Sequence, residues 1–146
     1  MSQVLAAFQQ MGAEQFSKMV CQMAPYFSTI DPEFVELKPG YSEAKMKKVR
    51  EVQNHIGTVH AIAMCNAAEL VAGTLTDATI PTGFRWIPKG MSVQYLAKAN
   101  TDLRAVATAE GVDLSEPGDK TIGVDIYDTE DTKVFHADIT MYVKAS

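Results

Sequence analysis

The sequence predicts an α+β fold in which a curved antiparallel sheet wraps around one central apolar helix, with an extra helix at the N-terminus. Three observations lead there. Residues 54–76, NHIGTVHAIAMCNAAELVAGTLT, are almost wholly apolar or small from Ile56 onward. Segments on both sides of that stretch alternate apolar and polar residues with the period of two that half-buried strands show. No other segment is apolar enough all round to fill the concave face of such a sheet.

The totals bound the reading. A chain of 146 residues, 47% hydrophobic and 21% charged, suits one domain over 1–146 with a substantial core. The net charge of −5 gives no general attraction to nucleic acid. The N-terminus reads as an amphipathic helix without the basic start or small-residue cleavage site of a signal peptide. Cys21 and Cys65 both fall in predicted helices and read as reduced thiols, which fits a cytoplasmic setting. Neither stands at a spacing that would build a zinc site, so no metal is expected. Repeats, linkers and low-complexity tracts are absent from the sequence.

Residues 2–24 give the first helix, within a leading segment 1–25, from the spacing of Val4, Phe8, Met11, Met19 and Met23. Ser2 can cap it, Gly12 loosens its middle, and Pro25 ends it. Its methionines pack a core or line a greasy groove. Residues 26–32 read as a loop. Residues 34–41 are strand-like, broken at Pro39 and Gly40. Residues 43–53 favour helix by propensity, yet the tertiary argument makes them a second strand leading into Asn54. The cluster Lys45, Lys47, Lys48 and Arg50 reads as a solvated face or as a contact for an anionic ligand.

The central helix is predicted over residues 58–72, with Gly73 as its C-terminal cap. Its alanines favour helix. A membrane span is the other reading of so apolar a run, but His60, Asn66 and Glu69 argue against it. Glu69 is the one formal negative charge there. A lone carboxylate in such a run is costly to bury unless paired, hydrogen-bonded or used. Residues 76–83 form a turn-rich connection.

Four strands complete the core at 33–144. Residues 84–99 form a long one interrupted near Pro88 and Gly90. Residues 102–110 put Leu103, Ala105 and Ala107 on one face. Residues 121–128 do so with Ile122, Val124 and Ile126, and residues 133–144 with Phe135, Ala137, Ile139, Met141 and Val143. Short turns between them predict an antiparallel meander.

Asn54, His60 six residues on, and Glu69 nine residues after the histidine resemble the motif of hotdog-fold acyl-CoA thioesterases, in the phenylacetate-pathway and 4-hydroxybenzoyl-CoA thioesterase-like branch. The strand 91–99 is similar to that family's hydrophobic-Tyr-hydrophobic-x-x-Ala strand, and the resemblance covers about residues 33–144. It implies the hotdog fold and hydrolysis of a small to medium acyl- or aryl-CoA. No separate cofactor is implied, coenzyme A being part of the substrate. It further implies a homodimer or tetramer whose site is shared, with loop residues from one protomer and the helix carboxylate from the other. Two departures stand out. Ala61-Ile62 replace the family's Gly-Gly, and Pro88-Lys89 stand where some relatives carry a strand hydroxyl.

Thioester hydrolysis needs a base or nucleophile, a donor for the developing oxyanion, and water between them. Glu69 is the candidate base or nucleophile, burial being expected to raise a carboxylate's pKa; a structural contact with a neighbouring protomer is the alternative. The Ala61 N–H, at a helix start, is the candidate oxyanion donor beside Gly57. Asn54 positions water or the thioester, or simply closes a turn. His60 orients the thioester, or is a satisfied structural histidine. His55 reads as structural or exposed, and His136 with Asp138 as a solvated pair. Lys45, Lys47, Lys48, Arg85, Lys89, Lys98 and Arg104 are candidates for the coenzyme A phosphates. The second reading is a non-catalytic acyl- or CoA-binding hotdog protein, favoured by Ala61-Ile62. An enoyl-CoA hydratase would need a Gly-Asp-x-Asn-x-x-His-like loop, which the sequence lacks.

Overall fold

The chain opens on helix α1 (Gln3–Met23) in the computed structural model, which describes residues 2–146; Met1, the head of the expected leading segment, lies outside them. Ser2 caps α1, its hydroxyl accepting from the Leu5 N–H at 2.9 Å, which satisfies one of the free donors of the first turn. Gly12 does more than loosen the middle. Its φ of +82° and ψ of 169° divide α1 into two helical arms, a conformation that glycine adopts at no steric cost.

The segment after α1 is a 3-10 helix, Pro25–Ile30, where the sequence suggested a loop. Short polar side chains hold it: Ser28 and Thr29 donate to the carbonyls of Pro25 and Tyr26 at 2.5 and 2.8 Å, the local back-bonding such residues favour. Strands β1 (Glu33–Lys38) and β2 (Tyr41–Met46) follow, joined through Pro39 and Gly40. The second arm of α1 docks on β1. Phe16 is fully buried and sits edge-on to Phe34, centroids 4.9 Å apart. Ser17 Oγ accepts from the Phe34 N–H at 2.8 Å.

The expected second strand to residue 53 is too long. β2 stops at Met46, its last pair being Met46 with Leu103, and Arg50–Val52 form a 3-10 turn. The Lys48 N–H is taken by the Asp102 carboxylate at 2.8 Å, so a side chain replaces the strand partner.

Helix α2 (Ala61–Thr79) starts later and ends later than the sequence suggested. His60 is its N-cap and Pro81 stands just beyond its end, where a proline disfavours further helix. Gly73 is no cap. It lies inside α2, where a Cβ would meet the Trp86 ring at 2.9 Å, so the glycine serves close packing and not termination.

Strands β3 (Phe84–Tyr95), β4 (Leu103–Thr108), β5 (Gly118–Tyr127) and β6 (Lys133–Ala145) complete a six-stranded sheet. Its order is β1-β2-β4-β5-β6-β3, antiparallel throughout. The expected meander therefore fails at one point: β3 lies at the far edge beside β6. α2 explains the crossover. Its 19 residues span about 28 Å, more than the roughly 19 Å between β2 and β3 at standard strand spacing. The helix crosses the concave face and delivers the chain to the opposite edge. The break expected near Pro88 and Gly90 is an irregularity in the β3–β6 register.

The core lies between α2 and the sheet. Ala68, Val71, Ala72 and Leu75 are fully buried, as are Ala107, Ile122, Val124, Ile126, Ala137 and Met141 opposite. The one-face sets expected for β4, β5 and β6 all point inward. Thr74 donates to the Leu70 carbonyl and accepts from Ser42, both at 2.9 Å, so this buried hydroxyl pair costs little. A curved antiparallel sheet around one helix, with a helix added in front, is the α+β hotdog architecture. Among the described residues, no helix is long and apolar enough to cross a membrane.

Candidate functional site

The site is built from the loop before α2 and from one face of α2. Residues 54–58 close a tight turn. Asn54 N–H donates to the Thr58 carbonyl at 2.9 Å, and Gly57 N–H to the Asn54 carbonyl at 3.2 Å. Asn54 Oδ1 accepts from the N–H groups of Ile56 and Thr58, both at 3.1 Å, while Nδ2 donates to Thr58 Oγ1 at 2.7 Å. Asparagine is favoured here because its amide mimics a backbone turn. Gly57 has φ +81°, which a side chain would strain. The loop is tied down by Val59 N–H to the Ala99 carbonyl at 2.9 Å and His60 N–H to the Val52 carbonyl at 2.8 Å.

His60 is exposed and caps α2, its Nδ1 accepting from the Ile62 N–H at 3.0 Å. A neutral imidazole that accepts at Nδ1 carries its proton on Nε2, so His60 offers a donor to the surroundings. Ala61 is the first residue of α2, and its N–H has no partner within the helix. Asn54, Gly57, His60 and Ala61 thus converge on one helix start, where the dipole is positive.

Glu69 does not join them within the chain. Eight residues of helix separate it from Ala61, about 12 Å along the axis. It is half-buried, not enclosed. Ile62, Asn66, Glu69, Gly73 and Asp77 recur at helical spacing and share one face of α2. That face borders the 3-10 segment, α1 and the edge strand β3. Around Glu69 lies a depression of about 160 Å³ bordered by Tyr26, Phe27, Ile62, Asn66 and Met91. Phe27 and Glu69 also line a neighbouring apolar cleft of about 330 Å³ that reaches Asp77 and Trp86. Burial pushes the Asp77 carboxyl up, and the Trp86 indole N–H beside it partly offsets this.

Asn66 is a residue to which sequence reasoning gave no part in the site. It is 7% exposed, and its Nδ2 donates to Thr29 Oγ1 at 3.1 Å and toward the Tyr26 carbonyl at 3.4 Å. It ties the 3-10 segment to α2 beside Glu69, while its Oδ1 is buried without a donor. The available signal was its place three residues before Glu69 on the same helical face.

Among the candidate cations, Lys47 pairs with Glu33 at 3.3 Å, Lys89 with Asp119 at 2.9 Å, and Arg104 with Asp131 at 3.1 Å. Lys98 is exposed and precedes Ala99, whose carbonyl holds the loop at Val59. His55 is exposed. His136 bridges Asp125 at 2.7 Å and Asp138 at 3.1 Å on the sheet face away from α2. Cys21 and Cys65 are free and half-buried. Among the described residues no three His, Cys, Asp or Glu side chains gather to hold a metal ion.

The family model described as "Domain of unknown function (DUF4442)" matches residues 12–143. No curated protein matches the chain in sequence. A crystal structure from a structural-genomics programme is 57% identical, covers 99% of this chain and 97% of its own, and superposes with a TM-score of 0.91. Thioesterase HI1161 from Haemophilus influenzae shares the fold at 16% identity, with 82% of each chain covered and a TM-score of 0.73. So does smu.793 from Streptococcus mutans, bound to acetyl CoA, at 18% identity, covering 79% of this chain and 90% of its own, TM-score 0.68.

Proposed function

The chain belongs to the DUF4442 family and carries the hotdog fold of proteins named as thioesterases, and on that footing we propose that it hydrolyses the thioester of a small to medium acyl- or aryl-CoA. One observation carries the reading. Glu69, the sole carboxylate of the apolar run 54–76, is half-buried at the mouth of an apolar cleft, on a helix whose own start offers an unpaired N–H at Ala61. Coenzyme A as the carrier is supported by the acetyl CoA bound to the S. mutans relative in fold.

The roles follow from geometry. Ala61 N–H polarises the thioester carbonyl, and the Nε2–H of His60 is the second donor near it. Asn54 and Gly57 shape the loop that presents both. Glu69 takes a proton from water as the water adds to the carbonyl carbon. It returns that proton to the sulfur when the tetrahedral centre collapses and the C–S bond breaks, so that coenzyme A leaves as the thiol. Alternatively, Glu69 adds to that carbon itself, and coenzyme A leaves as the thiolate and takes a proton from solvent. Water then hydrolyses the acyl–glutamyl anhydride to free the acid and the carboxylate. Donors must sit about 3 Å from the atoms they serve, and the roughly 12 Å between Ala61 and Glu69 in one chain far exceeds that. On this reading, a second copy therefore supplies one half of the site. Edge strand β3 is the proposed surface for that pairing, with Ile87 61% and Tyr95 59% exposed, and Leu96 just past its end 48%. Lys98, next to the loop, is the proposed contact for a coenzyme A phosphate. The protein is proposed to work in the cytoplasm, with no metal and no separate cofactor.

A second reading, acyl- or CoA-binding without turnover, is favoured by the Asn54 amide serving its own turn, with Oδ1 accepting two bonds and Nδ2 donating one there. Release of thiol from a panel of acyl-CoAs, measured beside Glu69→Ala and Glu69→Gln, separates the two. The expected result is wild-type hydrolysis reduced at least about a hundredfold in both variants, the loss typical of removing a positioned acid–base group. Hydrolysis by no acyl-CoA, or wild-type rates in both variants, would leave the binding reading or another residue.

A further inference from the structure

Resting on the thioesterase reading of Glu69, we propose that α1 walls the acyl site: the cleft between α1 and α2, from Glu69 to Asp77, takes an unbranched, methyl-ended acyl chain of medium length, and Val20 and Met23 set the room for it.

The break at Gly12 is the first support. In a straight helix Val4 would lie about 24 Å from Val20, too far to border one cleft. Yet Val4, Val20 and Met23 all line the same one. The φ of +82° at Gly12 folds the first arm back so that α1 closes around the cleft from two sides. The fold-back is held by packing, Leu5 being buried and Phe8 of the first arm sitting edge-on to Phe16, centroids 5.3 Å apart, so the wall it forms is a fixed one.

The wall is apolar in practice. Thr74 lines it, but its hydroxyl is spent on the Leu70 carbonyl and Ser42. Gly73 opens the floor only as far as the Trp86 ring, 2.9 Å from where a Cβ would stand. Met19 and Met23 are unbranched and adaptable, suited to a chain of variable conformation. Met23 is 71% exposed at the rim, an apolar group left in water unless something covers it.

Length and end group follow. Eight helical residues from Glu69 to Asp77 give about 12 Å, the reach of an extended chain of roughly eight to ten carbons with C–C bonds near 1.5 Å. The volume, about 330 Å³, is that of a small-molecule site. Among the described residues, the cleft's lining includes no Lys, Arg or His to pair with a terminal carboxylate, and Asp77 stands at the far end, so methyl-ended acyl groups are favoured over dicarboxylic ones.

The test compares wild type with Val20→Trp, which fills the cleft, and Met23→Trp, which loads its exposed rim and has little reason to misfold. For each, kcat/KM is measured across straight-chain acyl-CoAs from acetyl to palmitoyl, and the ratio of decanoyl- to acetyl-CoA is taken within each protein. Binding of decyl-CoA, a thioether that cannot be hydrolysed, is measured by calorimetry. The expected result is a ratio lower by at least about tenfold in Val20→Trp, the discrimination a few methylenes give, with weaker decyl-CoA binding. An unchanged ratio in both folded variants, while turnover still depends on Glu69, overturns this inference and leaves the thioesterase reading standing. If wild type hydrolyses nothing, the thioesterase reading fails, and decyl-CoA binding decides alone: loss in Val20→Trp supports the cleft, and equal binding overturns it.

Discussion

At the scale of single residues, His136 shows how far local charge governs a side chain outside the proposed site. Its ring lies between Asp125 and Asp138, and Lys133 reaches the same Asp125 at 3.4 Å. The hydrogen bond to Asp125 raises its pKa above the ordinary histidine value, partial burial opposes this, and Asp138 adds to the rise. A raised folded-state pKa means that the folded chain holds the proton more tightly than the unfolded one. The stabilisation is thus complete below the unfolded value, near pH 6.5, and is lost as pH rises through the raised value. His136→Asn should therefore lower urea stability at pH 5.5 by no more than about 1 kcal/mol, the range of exposed pairs, and by nothing measurable near pH 9. An equal loss at both pH values would mean that packing, not charge, is what the histidine contributes.

Among elements, α1 and α2 carry the most information. The two-armed form of α1 depends on Gly12, and the sign of one substitution reports it. Gly12→Ala should destabilise the protein by about 1–3 kcal/mol, the cost of holding a Cβ-bearing residue in an extended positive-φ conformation that essentially only glycine adopts. Were α1 one continuous helix in solution, the same change would stabilise by up to about 1 kcal/mol through helix propensity. Urea unfolding of wild type and variant distinguishes the two. In α2, division of labour follows the helical repeat. Ala68, Val71, Ala72 and Leu75 fill the sheet, while Ile62, Asn66, Glu69, Gly73 and Asp77 form the face toward the 3-10 segment, α1 and Trp86. A helix apolar nearly all round looks uniformly buried in sequence, because alanine and glycine suit either side. Only the packing of α1 and Trp86 marks which face is left for a ligand.

For the whole molecule, the decisive feature is the free edge at β3. An exposed apolar edge strand is a pairing surface that a lone protomer leaves unsatisfied. The proposed shared site requires such pairing, since helix geometry holds Ala61 and Glu69 apart. The chain is expected to sediment as a dimer or a multiple of one. Ile87→Glu, which puts a charge on the exposed edge, should shift it toward monomer and remove thioester hydrolysis together, with far-UV circular dichroism unchanged. A monomeric variant with undiminished turnover would sink the shared site.

The sequence by itself determined the architecture, because burial writes directly into periodicity. Alternation fixed the inward faces of β4, β5 and β6, and the alanine-rich run announced the enclosed helix. Resemblance to a known motif nominated Asn54, Gly57, His60, Ala61 and Glu69 as candidates, although such a motif carries no distance between copies. Where β2 ends, where α2 ends and which strand β3 pairs with were decided by tertiary structure. Asp102 replaces a strand partner at Lys48, Trp86 gives Gly73 its reason, and the length of α2 carries β3 to the far edge. Contacts of that kind join residues 13 to 54 positions apart, and no local pattern encodes them. The cleft under α1 is of the same kind, since it exists only once a helix broken at Gly12 folds back over α2.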